Sequence, residues 1–332
     1  MSFVKDMKAQ AIKMQKKLVL PEGSEPRTLQ AARIIVDEKV VSEVFLIGAK
    51  AEIEAAATSA GVKLDGITIV DPATSELAEA YGKEYYELRK HKGLSEEDAA
   101  SQIKDCLKWG AMMVRKGDAD AMVAGADNPT GKVLVAGFTI VKTAAGVSSA
   151  SSCFVMDFPE KKWGHDGMMI FSDCATIPDP TVEQLAEITI QSSASCKTFL
   201  QTEPVTAMLS FSTKGSAAHP NVDKVTEAFK LVQERAPELN VDGELQLDAA
   251  IVESVGAKKA PGSKVAGKAN TLIFPDLQSG NIGYKLAQRF GNAGAYGPFL
   301  QGFAKPISDL SRGCSVEDIV NTISVTMTQV ED

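Results

Sequence analysis

A chain of 332 residues, 44% hydrophobic and 23% charged, with 26 Gly and 14 Pro, has the composition of a packed globule and enough length for about two domains. A single small module, a disordered chain and a collagen-like repeat are excluded. Forty-three acidic against 35 basic side chains leave a net charge of −8, so general binding to nucleic acid or an anionic membrane is not expected, and an anionic ligand needs a local cluster of cations.

The first seventeen residues scatter Lys5, Lys8, Lys13, Lys16 and Lys17 without a continuous apolar stretch. The longest apolar run, Val133 to Val141, is about half a membrane span, so neither a secretion signal nor an anchor is expected. Runs at Lys17–Pro21, Glu43–Gly48, Ile67–Pro72 and Ala121–Gly125 read as buried strands ending in turn residues, the rhythm of a parallel α/β sheet. Between the last two, Ser95-Glu-Glu-Asp98 reads as a capping box opening one helix with Ala99, Ile103, Cys106, Leu107, Met113 and Val114 on its apolar face.

A second series follows at Ser152–Asp157, Met168–Asp173, Ala207–Ser212 and Thr271–Asp276. One helix is expected after Pro178 and another through residues 222–235, which implies a second α/β domain. Two of these strands end in polar residues, where open parallel sheets present ligand groups. The last helix begins after Ser311-Arg-Gly-Cys-Ser315, with Ser315 and Asp318 as its capping box and Val316, Ile319, Val320, Ile323, Met327 and Val330 as its stripe. Periodicity does not say which domain it packs on.

Gly262-Ser-Lys-Val-Ala-Gly-Lys-Ala269 is close to a phosphate loop, yet Ala269 lacks the hydroxyl that would hold magnesium and Pro261 precedes it, so a structural loop is expected. Gly291, Gly294 and Gly297 have the wrong spacing for a dinucleotide fingerprint. His91, His165 and His219 fall in no metal or nucleophile-base spacing. Cys106, Cys153, Cys174, Cys196 and Cys314 are odd in number and far apart, which suits a reducing cytoplasm rather than a disulfide framework or zinc site. Ser311–Ser315 places a guanidinium, hydroxyls and backbone N–H groups at a helix N-terminus, where anions are favoured. Chemistry alone leaves two readings of this turn standing, a phosphate site or a capped, solvated loop.

Several motifs together, namely Leu18-Val-Leu-Pro-Glu-Gly, Leu88-Arg-Lys-His-Lys-Gly, Ser210-Phe-Ser-Thr-Lys-Gly-Ser-Ala, Asp242-Gly-Glu-Leu-Gln, Phe274-Pro-Asp-Leu, Ala295-Tyr-Gly-Pro and Lys305-Pro-Ile-Ser-Asp-Leu-Ser-Arg-Gly-Cys-Ser, resemble the phosphate acetyl/butyryl transferase family over nearly the whole chain. The resemblance implies reversible acyl transfer between coenzyme A and inorganic phosphate, acetyl-CoA plus phosphate giving acetyl phosphate plus CoA, with propionyl and butyryl as alternatives. It implies two α/β domains with an interdomain cleft, like isocitrate and isopropylmalate dehydrogenases: residues 1–145 with 298–332, and 146–297 inserted. A cytoplasmic homodimer is implied, with CoA as substrate, no metal and no resident cofactor, and with small molecules rather than nucleic acid or membrane as partners.

Carried over residue by residue, the family motif makes Asp318 the base for the CoA thiol, Ser311 the group that orients the thiol, and Arg312 the group that binds phosphate or polarises the acyl carbonyl. The turn's free N–H groups would add oxyanion donors. Arg89 matches an arginine that contacts CoA, and Thr130, Tyr296 and Gly297 fall in loops resembling the cleft lining. One departure stands out: Val135 occupies a position where the family commonly has arginine. Losing one charge-assisted contact is worth about 1.5 to 3 kcal/mol, with Lys132 as the substitute. Two other classes have requirements of their own. A β-decarboxylating dehydrogenase would need a nicotinamide site and magnesium-binding aspartates, and a non-catalytic CoA-binding relative would bind without exchange.

Overall fold

The computed structural model describes residues 3–331. Two compact units form, one from the chain up to Ala145 together with the stretch from Phe303 on, the other from Gly146–Gly302. Among the described residues eleven strands build two sheets: β1 Lys17–Leu20, β2 Glu43–Ile47, β3 Ile67–Val70, β4 Ala121–Ala124, β5 Ser151–Asp157, β6 Met168–Ser172, β7 Thr206–Leu209, β8 Val241–Leu245, β9 Thr271–Ile273, β10 Gly294–Gln301 and β11 Ile307–Asp309.

In the first unit the order is β11-β4-β1-β2-β3, parallel throughout. Leu18, Val19, Leu20, Ala121 and Met122 are fully buried, as expected where helices cover both faces of a parallel sheet. The final helix, Val316–Thr328, packs on this sheet. Ile319, Val320, Ile323 and Met327 share one core with Leu18, Leu20, Ala121 and Val123, which settles what periodicity left open. The single helix expected after Ser95 is two, Glu96–Gln102 and Cys106–Lys116. The Asp105 carboxylate accepts the Lys108 N–H at 3.1 Å and starts a second helix. A side chain that bonds nearby backbone in this way competes with helix continuation.

The second unit has the order β10-β5-β6-β9-β7-β8, antiparallel at β10/β5 and β5/β6 and parallel elsewhere. Strand β10 pairs residues 299–301 with β5, and the second unit runs to Gly302, where the resemblance implied a boundary at residue 297. The polar strand ends here serve as structural anchors. Asp173 is buried and its carboxylate accepts backbone N–H groups of Ser152, Ala175, Thr176 and Ile177. The Ser212 hydroxyl donates to Glu244 at 2.8 Å. The phosphate-loop lookalike is a structural loop: Val265, Ala266 and Ala269 are buried, and the N–H groups of Gly267 and Ala269 bond Ala249 and Ala250 carbonyls. His219 caps the helix Pro220–Arg235, its Nδ1 accepting the Asn221 N–H.

Candidate active site

Parallel strands present their carboxyl ends along one edge, and in the first unit the chain runs from β1 to β2 on one side while β4 lies on the other. A reversal of this kind is where open α/β sheets bind ligands. Three loops meet there: Pro21–Glu25 after β1, Gly125–Pro129 after β4, and Leu310–Ser315 after β11.

Glu22 organises the second of these loops. It is buried, and its carboxylate accepts the backbone N–H groups of Gly125, Ala126, Asp127 and Asn128 at 2.8–3.0 Å together with the Asn128 amide. A buried charge is tolerated when its lone pairs are satisfied in this way. Arg27, in the first turn of the helix Pro26–Asp37, ties the loops together. Its guanidinium bonds Glu25 at 2.7 Å and donates to the carbonyls of Arg312, Cys314 and Ala126, each at 2.8 Å.

Within the turn, Ser315 and Asp318 make both halves of the capping box. Asp318 Oδ2 accepts from Ser315 N–H at 2.9 Å and from its hydroxyl at 2.8 Å. The structural reading of this pair is therefore real. The expected supply of free N–H groups is smaller than the sequence suggests. Gly313 N–H bonds Ser311 Oγ, Cys314 N–H bonds the Ser311 carbonyl, and Ser315 N–H bonds Asp318. Those three are occupied, and the exposed Arg312 guanidinium adds side-chain donors beside them. Ser311, Arg312 and Asp318 are all exposed, so a ligand can reach them.

Thr130 joins this cluster, its Oγ1 donating to Asp309 Oδ2 at 2.6 Å. Asp309 ends β11, and its Oδ1 is buried without a hydrogen-bond partner. Burial, with the Glu22 charge adding to it against the Thr130 bond, pushes its carboxyl up to about 6. The folded state thus holds this proton more tightly than the unfolded chain, so the contribution of Asp309 to stability falls as pH rises from about 4 through about 6. Asp309→Asn escapes that loss, and its urea midpoint is expected to exceed wild type at pH 8 but not at pH 4. Gly125 lies against the same carboxylate at φ +114°, and a Cβ there would sit 2.6 Å from Asp309 Oδ1 and from Leu310 N and O. Gly125→Ala is expected to destabilise by about 3 kcal/mol, read as a lower urea midpoint.

The remaining expected residues sit on other elements. Arg89 ends the helix Ala78–Arg89. Its charge and that of Arg115 add to burial in lowering the proton affinity of Lys142. Tyr296 and Gly297 belong to β10 in the second unit, where a Gly297 Cβ would stand 2.9 Å from the Cys153 carbonyl. This close approach accounts for the glycine. Val135, on the helix Thr130–Ala136, is 55% exposed. Sequence reasoning missed Glu22, Arg27 and Asp309. The signal for Glu22 and Asp309 was a charged residue at or just after a strand of a parallel sheet, inside two motifs already singled out.

A family model described as phosphate acetyl/butaryl transferase matches residues 2–327. The chain belongs to this family. Among other family proteins, the phosphate acetyltransferase of Treponema pallidum (strain Nichols) is 52% identical, with 99% of each chain covered. That of Thermoanaerobacterium thermosaccharolyticum is 49% identical over the full length of both. The EutD phosphotransacetylase from Staphylococcus aureus superposes with TM-score 0.91 at 40% identity, covering 99% of each chain. A 4-hydroxythreonine-4-phosphate dehydrogenase from Klebsiella pneumoniae, 11% identical with TM-score 0.52 over 96% of this chain and 98% of its own, shares the dehydrogenase-like fold alone. Among the described residues no group of three or more His, Cys, Asp or Glu side chains could hold a metal ion.

Proposed function

We propose that the chain is an acyltransferase that moves an acetyl group reversibly between coenzyme A and inorganic phosphate, with CoA as a substrate rather than a resident cofactor. The observation that carries this is 52% and 49% identity, over essentially the whole chain, to relatives named phosphate acetyltransferase. In this reading both substrates occupy the site together and the CoA thiol attacks acetyl phosphate directly. Ser311 orients the thiol, Arg312 holds the phosphate and the developing oxyanion, and Asp318 takes the thiol proton. Transfer from an ordinary thiol (pKa about 8.5) to an ordinary aspartate (about 3.9) is uphill by about 6 kcal/mol, so proton loss is concerted with attack and the adjacent guanidinium stabilises the sulfur's developing charge. Arg89 and Tyr296 belong to the CoA-binding side of this assignment.

The deciding experiment follows thioester absorbance with CoA and acetyl, propionyl or butyryl phosphate. At least a tenfold preference in kcat/KM for acetyl phosphate is expected. Preference for a longer acyl phosphate would keep the chemistry and change the substrate. No turnover with any of them would favour a CoA-binding protein.

The assembly in this reading is a cytoplasmic homodimer. Five free thiols suit a reducing compartment, and no helix among the described residues is long and apolar enough to cross a membrane. For the dimer, the helix Leu277–Arg289 and its capping residue carry Ile282, Leu286 and Phe290 four residues apart, 57%, 50% and 86% exposed, an apolar stripe of the kind that pairing covers. Phe290→Asp combined with Ile282→Asp is expected to shift sedimentation from dimer to monomer. A wild type that already sediments as a monomer contradicts the assignment.

A further inference from the structure

Thr130 has one hydroxyl proton, and it is committed to Asp309 Oδ2 at 2.6 Å. Toward any other group Thr130 can therefore only accept. A bound partner of this hydroxyl must bring its own proton, and the acyl-transfer reading supplies two such groups, the CoA thiol and a protonated phosphate oxygen. The second oxygen of Asp309, Oδ1, is buried and unpaired, confined by Gly125 and Leu310. That arrangement suits a carboxyl that gains and loses a proton more than one fixed in a permanent ion pair.

We propose that Asp309, acting through the Thr130 hydroxyl, positions the protonated oxygen of inorganic phosphate and receives its proton as the acyl phosphate forms. The inference rests on the acyl-transfer reading and adds a phosphate side to a site whose thiol side is Asp318. In the acyl-phosphate-forming direction an O–H bond of dihydrogen phosphate breaks as that oxygen bonds to the acyl carbon. Its proton passes to Thr130 Oγ1 while the proton of Thr130 passes to Asp309 Oδ2. The C–S bond breaks, its electron pair leaves on sulfur, and the thiolate takes the proton that Asp318 holds in this direction. Charge and atoms balance: one proton leaves phosphate, one arrives on the thiol, and solvent exchange resets the two carboxyls.

The proton affinities favour phosphate over thiol as the partner of Asp309. Its carboxyl, raised to about 6, lies closer to the proton affinity of inorganic phosphate, which loses its second proton near neutral pH, than to that of a thiol at about 8.5. Matched pairs exchange protons most readily. The elements packed on β11 are β4, the helix Thr130–Ala136 and the helix Val316–Thr328. With their adjoining loops they bring Asp127, Lys132, Arg312, Glu317 and Asp318 as charged groups, and Glu22, in the loop after β1, is the carboxylate whose charge raises the proton affinity of Asp309.

The test measures kcat for acetyl-CoA plus inorganic phosphate between pH 5 and 8, using the full chain and saturating substrates. In wild type kcat is expected to fall about tenfold per unit below pH about 6. Asp309→Asn is expected to lower kcat about a hundredfold at pH 7.5 and to abolish that acid limb. Thr130→Val loses as much, Thr130→Ser regains most of it by restoring the hydroxyl, and Asp309→Asn with Thr130→Val is no worse than either alone because the two act as one unit. Asp309→Asn with wild-type kcat, an acid limb that survives it, or losses that multiply in the double variant would each overturn the proposal. Wild type without any acyl exchange would instead overturn the acyl-transfer reading itself.

Discussion

Arg312→Ala is expected to lower kcat about a thousandfold while leaving circular dichroism and thermal unfolding at wild-type values. The fold uses the backbone carbonyl of Arg312, which accepts from Arg27 at 2.8 Å, and the side chain is exposed. Truncation therefore removes the guanidinium and little else. In the acyl-transfer reading the guanidinium is a donor to the oxyanion beside a turn in which three N–H groups already have partners, and one such donor is worth about 2.7 to 4 kcal/mol. Arg312→Lys is expected to recover only part of the loss, since an ammonium cannot make the paired contact of a planar fork. Asp318→Asn provides the complementary test. Its amide oxygen can still accept from Ser315, so the helix cap persists, while the proton acceptor is gone and kcat is expected to drop by about two to four orders of magnitude. Wild-type turnover in both variants would remove Arg312 and Asp318 from the chemistry.

The elements that sequence made legible are those with strong local signals. Strands β1, β2 and β4 are short, largely buried runs closed by turn residues, while β3 at the sheet edge is only partly buried, and the last helix is announced by Ser315 and Asp318 together with a stripe that does reach the first core. The break near Asp105 was hidden because the apolar spacing on either side, from Ala99 to Val114, continues through it. Periodicity reports which residues are buried, whereas the break depends on one carboxylate reaching a backbone N–H. The same limit applied to the candidate site. Arg312 and Asp318 are close in sequence and readable as a motif, but Glu22, Arg27 and Asp309 act on partners about one hundred to nearly three hundred residues away. Only the parallel register that aligns the ends of β1, β4 and β11 brings them together.

That long-range dependence makes Glu22 the residue whose loss should disturb both stability and activity. Glu22→Ala removes the acceptor for four consecutive backbone N–H groups and the Asn128 amide. Hydrogen bonds to a charged acceptor contribute about 1.5 to 3 kcal/mol each when intact, and unsatisfied donors carry their own desolvation cost. Water entering the space left by the side chain replaces part of this, so a net loss of about 3 to 5 kcal/mol is expected, measured as a lower urea midpoint at unchanged slope. Glu22→Gln is nearly as damaging, because its amide N–H2 would face donors where the carboxylate now offers a second acceptor. The loop Gly125–Asn128 carries the Ala126 carbonyl that Arg27 uses to position the Ser311–Cys314 turn, and it presses Gly125 against Asp309. Its rearrangement should therefore lower kcat more than tenfold even under conditions where the variant remains folded, since small misplacements of oriented groups are costly. A Glu22→Ala protein with a normal urea midpoint and full turnover would mean that the loop holds its shape without the carboxylate, leaving the five hydrogen bonds as a consequence of the loop's geometry rather than its cause.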